Sequence, residues 1–220
     1  MVFLHETITT NLNFSRFNMD AYQLAKDKKG VIFELDDVLF PSKDYLLQVY
    51  YLFAQFIEYT EQKNAQIILD FMRSEYESYG TAQLFEKTAQ KFELANSYQH
   101  NFDLLHQNAR LPLKLLLYKN MLQFLQELVI NRKQIFIVTA GDPEQQLNKI
   151  KQTEWNGLEK YLTVYFTNEL NLSKSEIFQN ILNNNNLSAK DALVVGANKF
   201  DEQQSNLINL PYIVSLEIYK

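Results

Sequence analysis

Residues Gly30–Phe40 read GVIFELDDVLF, a short apolar run that meets three carboxylates and then turns apolar again. An apolar run without alternation is typical of a strand that is buried on both faces of a parallel sheet. The acids follow the run directly, at Glu34, Asp36 and Asp37. Because ligands bind at the carboxyl ends of the strands in an open α/β sheet, this stretch predicts a buried first strand with a polar site at its end.

Further apolar runs rich in β-branched and aromatic residues follow along the chain. Together with the first, the predicted strands are Val31–Leu35, Ile135–Val138, Leu162–Phe166, Ala192–Val195 and Tyr212–Leu216. Helical signals lie between most of them: an apolar stripe from Leu113 to Leu128, a helix start at Asp142-Pro143-Glu144, and the capping-box pair Ser173 and Glu176. This alternation predicts an α/β fold with a Rossmann-like parallel sheet.

The segment between the first two predicted strands is the unusual part of the pattern. Residues 43–112 contain several helical patterns and no strand-like run, and they are too long for a crossover helix. We therefore predict an inserted all-helical domain at 43–112 and an α/β core at 1–42 and 113–220. A peripheral helix is predicted at 20–29. His5, His100 and His106 lack the spacing of metal ligands and are predicted to be structural or exposed.

The composition of the 220-residue chain narrows the classes of function. The formal net charge is −5 and the 21 Lys and Arg residues form no long basic block, which disfavours a nucleic-acid partner. The absence of cysteine excludes thiol catalysis and Cys-ligated zinc. No apolar run reaches membrane-spanning length and the N-terminal residues lack a secretory signal pattern, so we expect a cytoplasmic protein with no membrane partner.

Four segments resemble, in order and spacing, the motifs of the haloacid dehalogenase-like hydrolase superfamily. FELDDVLFPS resembles the first motif, FIVTAG the second, SKSEIFQNIL the third and ALVVGANKFDE the fourth. The helical insertion after the first motif is similar to that family's cap domain. Asp36, Thr139 and Lys174 occur together as in the phosphatase-type members, which disfavours dehalogenation.

The resemblance implies a phosphoryl-transfer site that binds a small phosphorylated molecule. It implies that Glu34 stands at the position of the nucleophile and Asp36 at that of the general acid and base. It also implies that Thr139, the backbone amide of Ala140 and the charge of Lys174 bind the phosphoryl oxygens.

Two positions depart from the family pattern. Glu34 stands where the family has aspartate, and its extra methylene moves the reacting oxygen by about 1 Å, which can cost ~10²-fold in rate. Ala197 stands where the family has an acid that ligates Mg²⁺, which leaves Glu34, Asp36 and Asp201 as the metal ligands that we predict.

We therefore predict a Mg²⁺-dependent hydrolase of small phosphate monoesters with impaired catalysis. The alternative is a non-catalytic member of the same fold, a pseudoenzyme that binds a phosphorylated ligand or a protein partner. A receiver-like phosphoacceptor domain is disfavoured because receivers are much shorter and lack the large helical insertion.

Overall fold

The computed structural model describes residue 23 and residues 25–219 of the chain. The described residues divide into two compact units: the first contains those up to Pro41, Leu116–Pro143 and those after Thr153, and the second contains Ser42–Leu115 and Glu144–Thr153. His5 and part of the helix predicted at 20–29 lie outside the described residues. None of the helices in the described ranges is long and apolar enough to cross a membrane.

The strands, as the structure describes them, are β1 (Gly30–Phe33), β2 (Leu115–Leu116), β3 (Gln134–Thr139), β4 (Thr153–Glu154), β5 (Leu162–Phe166), β6 (Ala192–Gly196) and β7 (Tyr212–Val214). Five of these described strands form one parallel sheet in the order β5-β3-β1-β6-β7, whereas β2 and β4 form a separate small sheet. The predicted α/β fold with a Rossmann-like parallel sheet is confirmed, and every strand of the large sheet overlaps a predicted run.

The helices, within the same described ranges, are α1 (Ser42–Glu61), α2 (Ala65–Tyr79), α3 (Leu84–Phe92), α4 (Tyr98–Asn108), α5 (Lys119–Ile130), α6 (Pro143–Gln152), α7 (Thr167–Leu170), α8 (Lys174–Asn184), α9 (Lys199–Asn206) and α10 (Leu216–Tyr219). Two predicted helix starts are confirmed, since α6 begins at Pro143 and the capping box of Ser173 and Glu176 begins α8.

Strand β1 is the central strand of the large sheet, and all of its residues are buried. It pairs with β3 on one side and β6 on the other, with Phe33 opposite Ile137 and Val195. The backbone N–H of Glu34 still donates to the carbonyl of Val195 at 3.1 Å, although the strand ends at Phe33. Glu34 is therefore the residue directly after β1 and is still hydrogen-bonded to β6.

The helix predicted over Leu113–Leu128 begins later than its leucine stripe indicates. Helix α5 starts at Lys119, while Leu115–Leu116 form β2. The N–H of Tyr118 donates to the carbonyl of Leu39 at 2.9 Å, a long-range bond that competes with a helical start here. This part of the prediction was wrong because side-chain periodicity does not show which partners the backbone donors find.

The second unit is all-helical apart from the short strand residues at its ends, and its core is aromatic. The ring centroid of Phe102 lies 5.0 Å from that of Phe53 and 4.7 Å from that of His106, both in edge-on geometry. Tyr45 and Tyr50 are fully buried, so the aromatic residues at helical spacing pack together as a core. The unit also takes in Glu144–Thr153, which the predicted boundaries assign to the core; the separate cap domain at 43–112 stays a prediction.

Burial of His106 predicts an acid-sensitive stability. Burial, and then the positive charge of Lys149, lower the pKa of His106 from 6.5 to about 4, against a small opposing effect of Asp103. The unfolded chain therefore binds a proton between pH 6.5 and 4 that the folded chain does not bind. Stability is highest above pH 6.5 and falls as the pH drops through this window, by about 2–3 kcal/mol for this residue.

Urea unfolding between pH 4 and 7 measures this contribution. We expect His106→Leu to flatten the pH dependence of the free energy of unfolding, whereas His100→Gln, which removes an exposed histidine, leaves it unchanged. An equal slope in the His106→Leu variant and the unmodified chain would contradict the assignment.

Candidate functional site

The carboxyl end of the parallel sheet gathers the polar residues singled out in the sequence. Glu34 follows β1, Thr139 ends β3, and Ala197 follows β6. Lys174 is the first residue of α8, whose apolar face packs Ile177 and neighbouring residues against the sheet. All of these residues belong to the first unit, so their positions are set by one core.

Lys174 is the centre of a buried ion-pair cluster. Its Nζ contacts Glu34 Oε2 and lies 2.6 Å from Asp201 Oδ1. The exposed fractions of the three side chains are 7% for Lys174, 13% for Glu34 and 2% for Asp201. Water contributes little to their solvation, so each charge depends on the others for compensation. The structure thus brings three of the predicted site residues into direct contact.

Asp201 is held by the turn that leads into α9. The Asn198 side chain caps this helix and accepts the backbone N–H of Asp201 at 3.0 Å. Asp201 Oδ2 accepts the backbone N–H of Ala197 at 3.4 Å, while its Oδ1 faces Lys174. Both carboxylate oxygens are therefore engaged, and Asp201 is a fixed counter-ion for Lys174.

Gly196 allows Asp201 to lie this close to the sheet. A Cβ atom at position 196 would stand 2.8 Å from Asp201 Cβ and 2.8 Å from Tyr212 Cε2, closer than such atoms approach. The Tyr212 hydroxyl donates to the carbonyl of Asn198 at 3.0 Å and braces the same turn. Sequence reasoning missed Asn198, although an Asn three residues before an acid is an available capping signal.

The Glu34 carboxylate is engaged at both oxygens. Its Oε1 accepts the backbone N–H of Leu35 at 3.1 Å, and its Oε2 contacts Lys174. The residue is only partly exposed, and it lines a small cavity together with Phe178 and Gly196. The carboxylate at the predicted nucleophile position is therefore oriented by the fold and neutralised by the lysine.

The other predicted site residues lie at the ends of β1 and β3. Thr139 is 1% exposed, and its Oγ1 has no hydrogen-bond partner within the described part of the chain. Ala140 follows it and is exposed. Asp36 is half-buried in a bridge to Phe40, and Asp37 is exposed in a left-handed conformation with φ 58°. The Thr139 hydroxyl is therefore a buried polar group at the end of β3 that the described residues leave without a partner.

The residues do not fit a Mg²⁺ ion in this arrangement. Among the described residues, no group of three or more His, Asp or Glu side chains could hold a metal. The Lys174 ammonium lies against both Glu34 and Asp201, and Ala197 supplies no side-chain oxygen. Mg²⁺ binds through one or two carboxylates and completes its octahedron with water, and here the ammonium stands at both carboxylates where the ion would have to lie.

Comparisons with known proteins agree with the fold. The sequence model of the haloacid dehalogenase-like hydrolase family matches residues 31–214. No curated protein matches the chain by sequence. The solved structures similar to the chain include a HAD phosphatase from Thermococcus onnurineus, which is 17% identical with a TM-score of 0.52, over 84% of this chain and 84% of that chain.

Two further solved structures are similar to the same extent. The L-2-haloacid dehalogenase from Xanthobacter autotrophicus, with chloropropionic acid covalently bound, is 16% identical with a TM-score of 0.50, over 84% of this chain and 76% of that chain. A haloacid dehalogenase-like family hydrolase from Xanthomonas campestris is 16% identical with a TM-score of 0.52, over 86% of this chain and 81% of that chain. At these identities the likeness shows the shared fold alone.

Proposed function

The chain belongs to the haloacid dehalogenase-like hydrolase family, and from this premise we propose that it is a slow hydrolase of a phosphate monoester of a small molecule. The observation that carries the proposal is the Glu34 carboxylate, oriented at the end of the central strand and neutralised by Lys174. The buried hydroxyl of Thr139 at the end of the neighbouring strand supports it, because it offers an open hydrogen-bonding group for a phosphoryl oxygen.

The proposed reaction has two steps. A Glu34 oxygen forms a bond to phosphorus while the ester P–O bond breaks, and Asp36 donates its proton to the leaving alcohol. A water molecule then attacks the acyl phosphate, transfers its proton to Asp36, and releases inorganic phosphate and the Glu34 carboxylate. Thr139 and the Ala140 amide bind the phosphoryl oxygens, and Lys174 compensates their charge.

The same contacts support the slow turnover in this proposal. Both Glu34 oxygens accept a hydrogen bond, which lowers the nucleophilicity of the carboxylate. Asp201 also shares the charge of Lys174, which leaves less of it for the substrate. The transition state of phosphoryl transfer depends on neutralisation of the phosphoryl oxygens, so this deficit raises the barrier.

The alternative function is non-catalytic binding of a phosphorylated ligand. It is favoured by the ion pair itself, because a Glu34 carboxylate that stays paired with Lys174 does not attack phosphorus. The hydroxyl of Thr139 would still accept or donate a hydrogen bond to an anion in that case. The two functions differ in whether product is released.

A continuous assay with p-nitrophenyl phosphate tests the proposal. We expect slow release of nitrophenol that is lost in the Asp36→Asn variant and kept in the Asp37→Asn variant, which changes the exposed neighbouring acid in the same way.

Equal activity of both variants would contradict the proposal. The binding alternative would be established by two results together. The unmodified chain releases no nitrophenol, and inorganic phosphate raises its thermal stability in a way that Thr139→Val abolishes. Release of chloride from 2-chloropropionate without any phosphatase activity would contradict both functions and indicate a dehalogenase.

A further inference from the structure

We propose that the core site takes no divalent cation, because the Lys174 ammonium occupies the cation position between the Glu34 and Asp201 carboxylates. The inference rests on the ion pairs and does not require the proposed hydrolysis. It makes Lys174 the resident cation of the site.

The first argument is geometric. Lys174 Nζ contacts Glu34 Oε2 and lies 2.6 Å from Asp201 Oδ1, so the space between the two carboxylates is filled. An ammonium group has three N–H donors, and two of them serve these oxygens. A dication placed there would meet a positive charge at contact distance, in a region shielded from water.

The second argument concerns the ligands that remain. Asp201 Oδ2 is engaged by the Ala197 amide, and Glu34 Oε1 by the Leu35 amide. Position 197 carries only a methyl group. Mg²⁺ and Mn²⁺ bind through one or two carboxylates and complete their shells with water, and both carboxylates here already accept from Lys174, so a dication would have to displace the ammonium.

The third argument is that the lysine is built into the core. Its exposed side-chain fraction is 7%, and it opens α8 next to a capping box that fixes the first turn of that helix. The following residues of α8, Ile177 and Phe178, pack against the sheet. The ammonium is thus held by a rigid element, not by a mobile surface side chain.

The inference predicts that removal of the ammonium opens a cation site. The double variant Lys174→Ala with Ala197→Asp vacates the space and adds a carboxylate beside it. We expect this variant to bind Mn²⁺ stoichiometrically, measured as loss of the free Mn²⁺ signal in electron paramagnetic resonance, whereas the unmodified chain binds none at this site.

A matched control separates the site from the overall charge. The double variant Lys190→Ala with Ala197→Asp has the same charge but removes an exposed lysine, and we expect it to bind no Mn²⁺. None of these measurements depends on turnover, so the failure of the inference is distinguishable from failure of the proposed hydrolysis.

Three results with folded protein would overturn the inference, and a fourth applies if the variant is unfolded. The first is stoichiometric Mn²⁺ binding by the unmodified chain that Asp201→Asn abolishes. The second is equal Mn²⁺ binding by the two double variants. The third is a folded Lys174→Ala, Ala197→Asp variant that binds no Mn²⁺. If that variant is unfolded without metal, refolding upon addition of Mn²⁺ supports the inference, and failure to refold at any Mn²⁺ concentration contradicts it.

Discussion

Replacement of Lys174 by methionine is expected to lower the free energy of unfolding by about 3–5 kcal/mol, because it leaves two buried carboxylates without a counter-ion. Asp201 is 2% exposed and Glu34 13%, so water cannot take over the role of the ammonium. Methionine keeps the length and most of the volume of the lysine stem, so the loss reports mainly the missing charge. Urea unfolding at neutral pH, followed by circular dichroism, measures it.

An exposed ion pair of the second unit provides the control. Lys43 Nζ lies 2.7 Å from Glu77 Oε1, with exposed side-chain fractions of 46% and 50%. We expect Lys43→Met to change the free energy of unfolding by less than about 1 kcal/mol, because water solvates both partners when the pair is broken. Similar losses in the two variants would show that the Lys174 cluster is not the buried ion pair described above.

The variant Glu34→Asp is expected to hydrolyse p-nitrophenyl phosphate ~10²-fold faster than the unmodified chain, with no divalent cation added. The shorter side chain at position 34 withdraws its carboxylate from Lys174 and moves the attacking oxygen back. Steady-state kcat/KM for nitrophenol release is the measurement.

The single variant Ala197→Asp serves as the control for this prediction. It adds an acid to the same site but keeps Glu34 against Lys174, so we expect little gain in kcat/KM. A gain in this variant equal to that of Glu34→Asp would mean that the length of residue 34 is irrelevant. No gain in Glu34→Asp would mean that the length of this side chain does not limit the rate.

Much of the fold could be predicted from local sequence. The strand at Leu162–Phe166 has the predicted bounds, and α8 starts at the predicted capping box. These features depend on neighbouring residues, through apolar runs and short-range hydrogen bonds. The start of α5 could not be predicted, because it depends on a bond between Tyr118 and Leu39, which are far apart in the sequence.

The candidate site also has features that the sequence determined and features that only the tertiary structure decided. The sequence alone determined which residues stand at the strand ends, because an apolar run followed by polar residues marks the edge of a buried sheet. It also determined that Glu34 and Ala197 depart from the family pattern. Only the tertiary structure decided that Lys174 lies between carboxylates 140 and 27 residues away in the chain. The physical reason is that the packing of α8 and α9 on the sheet sets the distance between the ammonium and the two carboxylates. The spacing of these residues along the chain does not reveal that distance.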